Sequence, residues 1–275
     1  MPVTPRVCAV SYLNTAPLVW GLSHGPQRPL IELEFAAPAE CAEKLRSGEA
    51  EVGLVPIIEL ARQPDLAVAP RGCIASHGHV RSILLVCKKP FAEIESIAVD
   101  RGSRTSVALV QILALQLYGT QPAVRPHAPQ LDKMLQVADA ALIIGDPALR
   151  LDPSMSDWQG QRVHVYDLGA EWQALTGLPM VFAVWAAKPI DDPAALVAAL
   201  TGSAAYGRSR IEEIVAAESA RLGFEANLIR QYLTRYIRYE LGPAEREAID
   251  TYLRLAARQG LVKPAADIRY LLDPH

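Results

Sequence analysis

Short apolar runs alternate with helical stretches from about residue 7 to residue 185, and this alternation constrains the fold more than any other feature of the chain. Residues 7–11 read as a strand, and Ile31, Leu33 and Phe35 alternate with Glu32 and Glu34 as in a half-buried strand. A helix is predicted from about Ala39, with Cys41 and Leu45 on one face and Gly48 placed to end it. Residues 52–55 form a strand running into Pro56, which suits the first turn of a helix carrying Ile57, Ile58 and Leu60. Further strands are expected at 83–87, 97–100, 140–144, 163–166 and 181–185, with a helix over 106–118. Strands alternating with helices predict an α/β fold with predominantly parallel sheets.

Two segments look alike: Ser82-Ile-Leu-Leu-Val-Cys-Lys-Lys-Pro90 and Met180-Val-Phe-Ala-Val-Trp-Ala-Ala-Lys-Pro189. If each crosses between lobes, residues 1–89 and 189–275 form one discontinuous lobe. Residues 90–188 form an inserted second lobe, and a two-strand hinge leaves a cleft between them. After Pro189 the pattern is helical alone. Ile211, Ile214, Val215 and Leu222 precede Gly223, and Ile249, Leu253 and Ala256 precede Gly260; these helices are expected to pack on the first lobe.

Lys plus Arg number 27 against 30 for Asp plus Glu, so net charge gives no reason to expect a nucleic-acid or membrane partner. No apolar run approaches the roughly 18 residues of a membrane span, and polar residues from Ser11 onward interrupt any signal-like core. A cytoplasmic location is expected. Cys8, Cys41, Cys73 and Cys87 contain no C-x-x-C pair and read as reduced, buried thiols.

Ligands of open α/β sheets bind beyond the carboxyl ends of the strands, so polar strand-to-helix turns carry the functional signal. Four stand out: Ser11-Tyr-Leu-Asn14-Thr15-Ala-Pro17, Val55-Pro56, Asp100-Arg-Gly-Ser103-Arg104-Thr105-Ser106 and Gly145-Asp146-Pro147. The third is the most specific. Ser103, Thr105 and Ser106 place hydroxyls at a helix start, where free N–H groups and the helix dipole favour a carboxylate or phosphate. Helix capping by Ser103 or Thr105 is the structural alternative, as it is for Asp146 before Pro147 and for Asn14. Neither a phosphate-binding loop nor a dinucleotide fingerprint is present. Cys73, His77 and His79 find no residues to complete a metal site, and no G-x-S-x-G nucleophile motif occurs. Arg230, Arg235 and Arg238 with Tyr232, Tyr236 and Tyr239 read as a solvated helix face.

Several motifs in order carry a family resemblance: Ser11-Tyr-Leu-Asn-Thr-Ala-Pro17, Val52-Gly-Leu-Val-Pro56 with Glu59, Val80-Arg-Ser-Ile-Leu-Leu85, Asp100-Arg-Gly-Ser-Arg-Thr-Ser106, Ile144-Gly-Asp-Pro-Ala-Leu149, and Asp167-Leu-Gly-Ala-Glu-Trp172 followed by Thr176-Gly-Leu-Pro179. Together they resemble the chorismate dehydratases of the futalosine route to menaquinone. Met180, after the Gly-Leu-Pro, departs from the Phe common in that family.

The resemblance implies a two-lobed fold like the type-2 periplasmic binding proteins and a dehydration of chorismate to 3-[(1-carboxyvinyl)oxy]benzoate. It implies no cofactor and no metal. The substrate is a small molecule, with no nucleic acid or membrane involved and with room for a homodimer. Asn14 and Ser82 are implied as catalytic residues. Ser11, Tyr12, Thr15, Pro56, Ser103, Arg104, Thr105, Ser106, Gly145 and Asp146 are implied as substrate-binding. The family's use of the substrate's own enolpyruvyl carboxylate as base fits a chain with no evident catalytic His. Two rivals remain: the 1,4-dihydroxy-6-naphthoate synthase of the same pathway and fold, and a non-catalytic cytoplasmic protein that binds small carboxylates.

Overall fold

The computed structural model describes residues 4–100, 102–265 and 267–272; Arg101, in the third polar turn, lies outside them. The chain opens with β1 (Arg6–Val10), α1 (Ala16–His24), β2 (Glu32–Ala36), α2 (Pro38–Ser47), β3 (Val52–Pro56), the single turn α3 (Glu59–Arg62) and β4 (Ala67–Ser76). It continues through β5 (Ile83–Cys87), β6 (Ser96–Asp100), α4 (Arg104–Tyr118), β7 (Ala123–His127), α5 (Leu131–Val137), β8 (Ala140–Ile144) and α6 (Asp146–Leu149). A small hairpin of β9 (Asp157–Trp158) and β10 (Gln161–Arg162) precedes β11 (His164–Asp167) and α7 (Leu168–Thr176). The return runs through β12 (Met180–Ala187), α8 (Pro193–Ser209), α9 (Ile211–Leu222), α10 (Ala226–Gln231), a π-helical turn at Tyr232–Tyr236, α11 (Pro243–Arg258) and β13 (Arg269–Tyr270). No helix among the described residues is long and apolar enough to cross a membrane.

Two sheets organise these elements. The first orders its strands β13, β4, β12, β3, β1, β2, and the second β11, β5, β8, β6, β7. The continuous apolar runs predicted for β3, β5 and β8 are buried along their whole length, as central strands covered on both faces must be. The two look-alike strands do not themselves cross. β5 lies wholly in the second sheet and β12 wholly in the first. The crossings are therefore the connections at 77–82 and 177–179, and the expected lobe boundaries at 89/90 and 188/189 move about ten residues toward the N-terminus.

This placement also corrects the expectation of predominantly parallel sheets. β1 pairs in parallel with β2 and β3, and β6 with β7 and β8, as βαβ connections dictate. The strands flanking the crossings are antiparallel: β12 to β3 and β4, and β5 to β8 and β11. A strand entered from the other lobe is released from the βαβ rule that keeps its neighbours parallel.

Three local readings differ from expectation. Pro56 ends β3 opposite Ala183 instead of opening a helix, and α3 begins only at Glu59. Phe35 is 52% exposed because β2 is an edge strand of the first sheet. β4, absent from the expected strands, is ten residues long and runs through Pro70-Arg71-Gly72; Gly72 has φ +87, and the pairing of β4 with β12 is shifted at two points.

The C-terminal helices touch both lobes, not the first alone. α8 locks onto α1 through Ser203, whose hydroxyl donates to Leu18 O (2.7 Å) and accepts from Leu22 N–H (3.0 Å). From α11, Tyr252 reaches into the second lobe, donating to Thr105 O at 2.9 Å and meeting Trp172 edge-on. All four cysteines are free and buried, with the Cys8 and Cys41 sulfurs 3.1 Å apart between β1 and α2.

Candidate active site

The strand ends predicted to matter converge between the two sheets on a cavity of about 70 Å³. Tyr12, Asn14 and Thr15 follow β1, Pro56 ends β3, and Gly145 follows β8. Ser103, Arg104, Thr105 and Ser106 open α4, and Ser82 sits at the entry to β5. Apolar walls come from Leu54, Ile74, Val80, Ile83, Ile144 and Phe182. No carboxylate or imidazole is among the described lining residues. Ser11 and Asp146, expected as substrate contacts, are not part of the lining: Ser11 is exposed and faces a neighbouring groove.

At the start of α4, Ser103 occupies the N-cap position but makes no side-chain cap hydrogen bond. Its hydroxyl and that of Thr105 are buried with no partner among the described residues, and both residues are only 3% exposed. A buried polar group without a partner costs roughly 1 to 3 kcal/mol. Capping therefore does not account for these hydroxyls. They stand beside the first-turn N–H groups, which have no intrahelical acceptor, at the positive end of a 15-residue helix. This assembly suits an anion.

Ser82 is fixed from several sides. Its carbonyl accepts from Gly145 N–H at 2.8 Å, and its hydroxyl lies 2.7 Å from the Tyr232 hydroxyl. The preceding Arg81 has φ +68, a left-handed conformation costly for a side chain of this size. Asp167 holds it there, its carboxylate accepting from Val80 N–H (3.0 Å) and Arg81 N–H (2.7 Å) while also capping α7 through Gly169 and Ala170. The Arg81 guanidinium donates to the carbonyls of Ala148, Leu149 and Leu151 at the end of α6. Strain beside a cavity residue, held by neighbouring bonds, fits a preorganised site.

Three contacts tie the lobes around the cavity. The Tyr12 ring lies so close to Gly145, where φ is +65, that a Cβ there would meet ring atoms at 2.8 Å. Burial, followed by the charges of Asp100 and Asp146, pushes the Tyr12 phenol up to about 12, so it stays protonated. Asp146, expected as a helix cap or cleft residue, instead accepts from Leu13 N–H across the lobes at 3.0 Å, while Gly145 is the N-cap of α6. Burial raises the Asp146 carboxyl. Arg104 crosses in the other direction, donating to Glu59 (2.9 Å) and Glu43. Glu59 is fully buried and also meets Arg62 (3.0 Å), Arg46 (3.2 Å) and Gln63 (3.1 Å). Burial pushes its carboxyl up, but Arg104, Gln63 and Arg62 outweigh that and hold it below the usual carboxylate range. The Arg104 charge is thus spent on lobe closure, although the residue borders the cavity.

Two comparisons bear on these motifs. The model of a menaquinone biosynthesis family matches residues 5–258. A Thermus thermophilus protein named chorismate dehydratase is 32% identical over 253 residues, covering 88% of this chain and 91% of that one. The chain belongs to the menaquinone biosynthesis family. The fold of this family member also matches solved structures. The protein AF1704 of Archaeoglobus fulgidus aligns with TM-score 0.74 and 18% identity over 94% of this chain and 98% of its own. The Escherichia coli periplasmic aliphatic sulphonate binding protein SsuA aligns at 0.67 and 18% over 100% and 94%. The chain's fold is thus periplasmic-binding-protein-like, with the cavity where its two sheets meet.

Some site residues escaped the sequence reading. Tyr232, assigned to a solvated face with its arginines, is 1% exposed against Ser82, whereas Arg230 does pair with Glu212 at the surface. The spacing of Ile229, Tyr232 and Leu233, all buried, is the helical signal that marks the inward face. Nothing local marks Arg81 as strained or Asp167 as its anchor, because that bond spans 86 positions. Among the described residues no cluster of His, Cys, Asp or Glu could hold a metal; the Cys73 thiol contacts Glu240 O, and His79 is exposed 3.7 Å from Asp167.

Proposed function

We propose that this chain is a cytoplasmic hydro-lyase, a chorismate dehydratase that forms 3-[(1-carboxyvinyl)oxy]benzoate and water. The observation that carries the reading is the pair of buried, unpartnered hydroxyls of Ser103 and Thr105 at the start of α4, facing Asn14 and Ser82 across one cavity. In this reaction the C3–H bond gives up its proton, the electron pair moves toward the ring carboxylate, and the C4–O bond breaks as the ring becomes aromatic. The departing hydroxyl takes up a proton and leaves as water. Negative charge therefore grows on the ring carboxylate. Donors fixed around that carboxylate stabilise the transition state more than the ground state.

The hydroxyls of Ser103, Thr105 and Ser106 and the α4 dipole fit that task. Asn14 and Ser82 fit the positioning of the C4 hydroxyl and of the enolpyruvyl arm. Since no lining carboxylate or imidazole is available as base, the enolpyruvyl carboxylate of the substrate itself fits that role. The Thermus relative, named chorismate dehydratase, supports the same reaction.

Purified protein incubated with chorismate is expected to yield a product lighter by one water in mass spectrometry. Asn14→Ala and Ser82→Ala are each expected to lower turnover by roughly 10² to 10³, the usual cost of losing a preorganised donor. Chorismate recovered unchanged would favour a binding protein. Turnover of the naphthoate synthase's substrate instead would favour that rival.

A further inference from the structure

The structure assigns to Tyr232 the role of a positioning residue that orients and polarises the Ser82 hydroxyl from behind the cavity wall. The inference rests on the dehydratase reading and adds a residue to it. Tyr232 does not line the cavity; it is completely enclosed, and its hydroxyl lies 2.7 Å from Ser82 Oγ. The Asn14 side chain neighbours the same phenol oxygen. One tyrosine from the C-terminal region thus backs Ser82 at the crossing between the lobes.

The direction of the bond follows from the available partners. A phenol has one proton to give, and a buried Tyr hydroxyl has to place it. Ser82 Oγ, 2.7 Å away, has no other side-chain partner among the described residues, and the phenol proton is assigned to it. With Tyr232 donating to Ser82 Oγ, the Ser82 proton is left to point into the cavity, toward a substrate oxygen. A hydroxyl that accepts one hydrogen bond becomes a better donor in the next.

Local backbone structure fits this assignment. Tyr232 is the first residue of a π-helical turn, Tyr232–Tyr236, directly after α10. Such turns are rare and occur frequently at functional sites. Ser82 is held from its other side by Arg81 in the left-handed region, so its hydroxyl is fixed between a strained backbone and a buried phenol.

The test is Tyr232→Phe, which removes only the hydroxyl. It is expected to lower kcat about tenfold, near the upper end of what one hydrogen bond supplies, with KM within about twofold of the parent. The second arm is a double-mutant cycle: Tyr232→Phe added to Ser82→Ala is expected to cause no further loss, because the phenol acts only through Ser82. Site-specific 3-fluorotyrosine at position 232 keeps the ring and a stronger donor, and is expected to hold kcat at or above the parent value. A parent-like kcat for Tyr232→Phe, or an undiminished tenfold loss in the Ser82→Ala background, would overturn the role of Tyr232 while leaving the dehydratase reading intact. A thermal midpoint lowered together with equal losses in both backgrounds would mark a merely structural tyrosine and overturn it too. Chorismate left unchanged by the parent protein would overturn both.

Discussion

Thr105 shows at the scale of one residue how stability and function pull apart in this site. Its hydroxyl is buried without a partner among the described residues, a desolvation cost that a bound carboxylate would remove. Thr105→Val deletes the orphan atom at nearly constant volume. It is expected to raise stability by about 1 kcal/mol, seen as a thermal midpoint roughly 2 to 4 °C higher. The same change is expected to lower kcat/KM for chorismate roughly tenfold or more, since a hydrogen bond to a charged group is worth about 1.5 to 3 kcal/mol. Lower stability with unchanged kcat/KM would show that the hydroxyl has a partner within the fold. The place of this residue in the first turn of a long apolar helix was legible in the sequence, but the choice between helix capping and an anion site was not, because both use the same hydroxyls at the same positions. Tyr232 was not legible: its bond to Ser82 spans 150 positions, and the flanking arginines give the segment a surface character.

Between elements, the tie from α3 to α4 is carried mainly by charge. Glu59 on α3 is enclosed by Arg104, Arg62 and Arg46, whose own side chains keep water contact. Its carboxyl is held below the ordinary value of 4.5, so its contribution to stability is complete above that pH and is lost as the pH falls through the lower folded-state value. Glu59→Gln is expected to cost about 2 kcal/mol at neutral pH, less than the 3 to 5 kcal/mol of a fully buried pair because the arginines stay partly solvated. Thermal unfolding from pH 7 down to pH 3 checks this: the parent and variant curves are expected to converge in acid, and parallel curves would contradict it. Element types were readable wherever apolar periodicity was strong, as in β3, β5, β8 and α4. β4 was hidden because Pro70-Arg71-Gly72 imitates a turn, and α3 was overestimated because Pro56 suits a helix start as well as a strand end.

For the molecule as a whole, closure governs access. A cavity of about 70 Å³ is below the roughly 300 to 1,000 Å³ of ordinary ligand pockets, so seating chorismate whole would call for a wider gap between the lobes. The lobes are joined through the crossings at 77–82 and 177–179 and are tied by Leu13 with Asp146, Tyr12 with Gly145, and Arg104 with Glu59. A two-lobed plan was expected from the repeated strand pattern, although neither of those strands crosses. The position of the crossings was not, because an apolar strand reads the same in either sheet. The central claim is that one cavity grips the ring carboxylate at the start of α4 while Asn14 and Ser82 face the breaking C–O bond. A crystal structure of the Ser82→Ala variant soaked with chorismate tests it most directly. The account predicts the ring carboxylate within about 3 Å of the Ser103 and Thr105 hydroxyls and the C4 hydroxyl beside Asn14. Chorismate bound with its ring carboxylate away from α4, or seated in another groove, would contradict it.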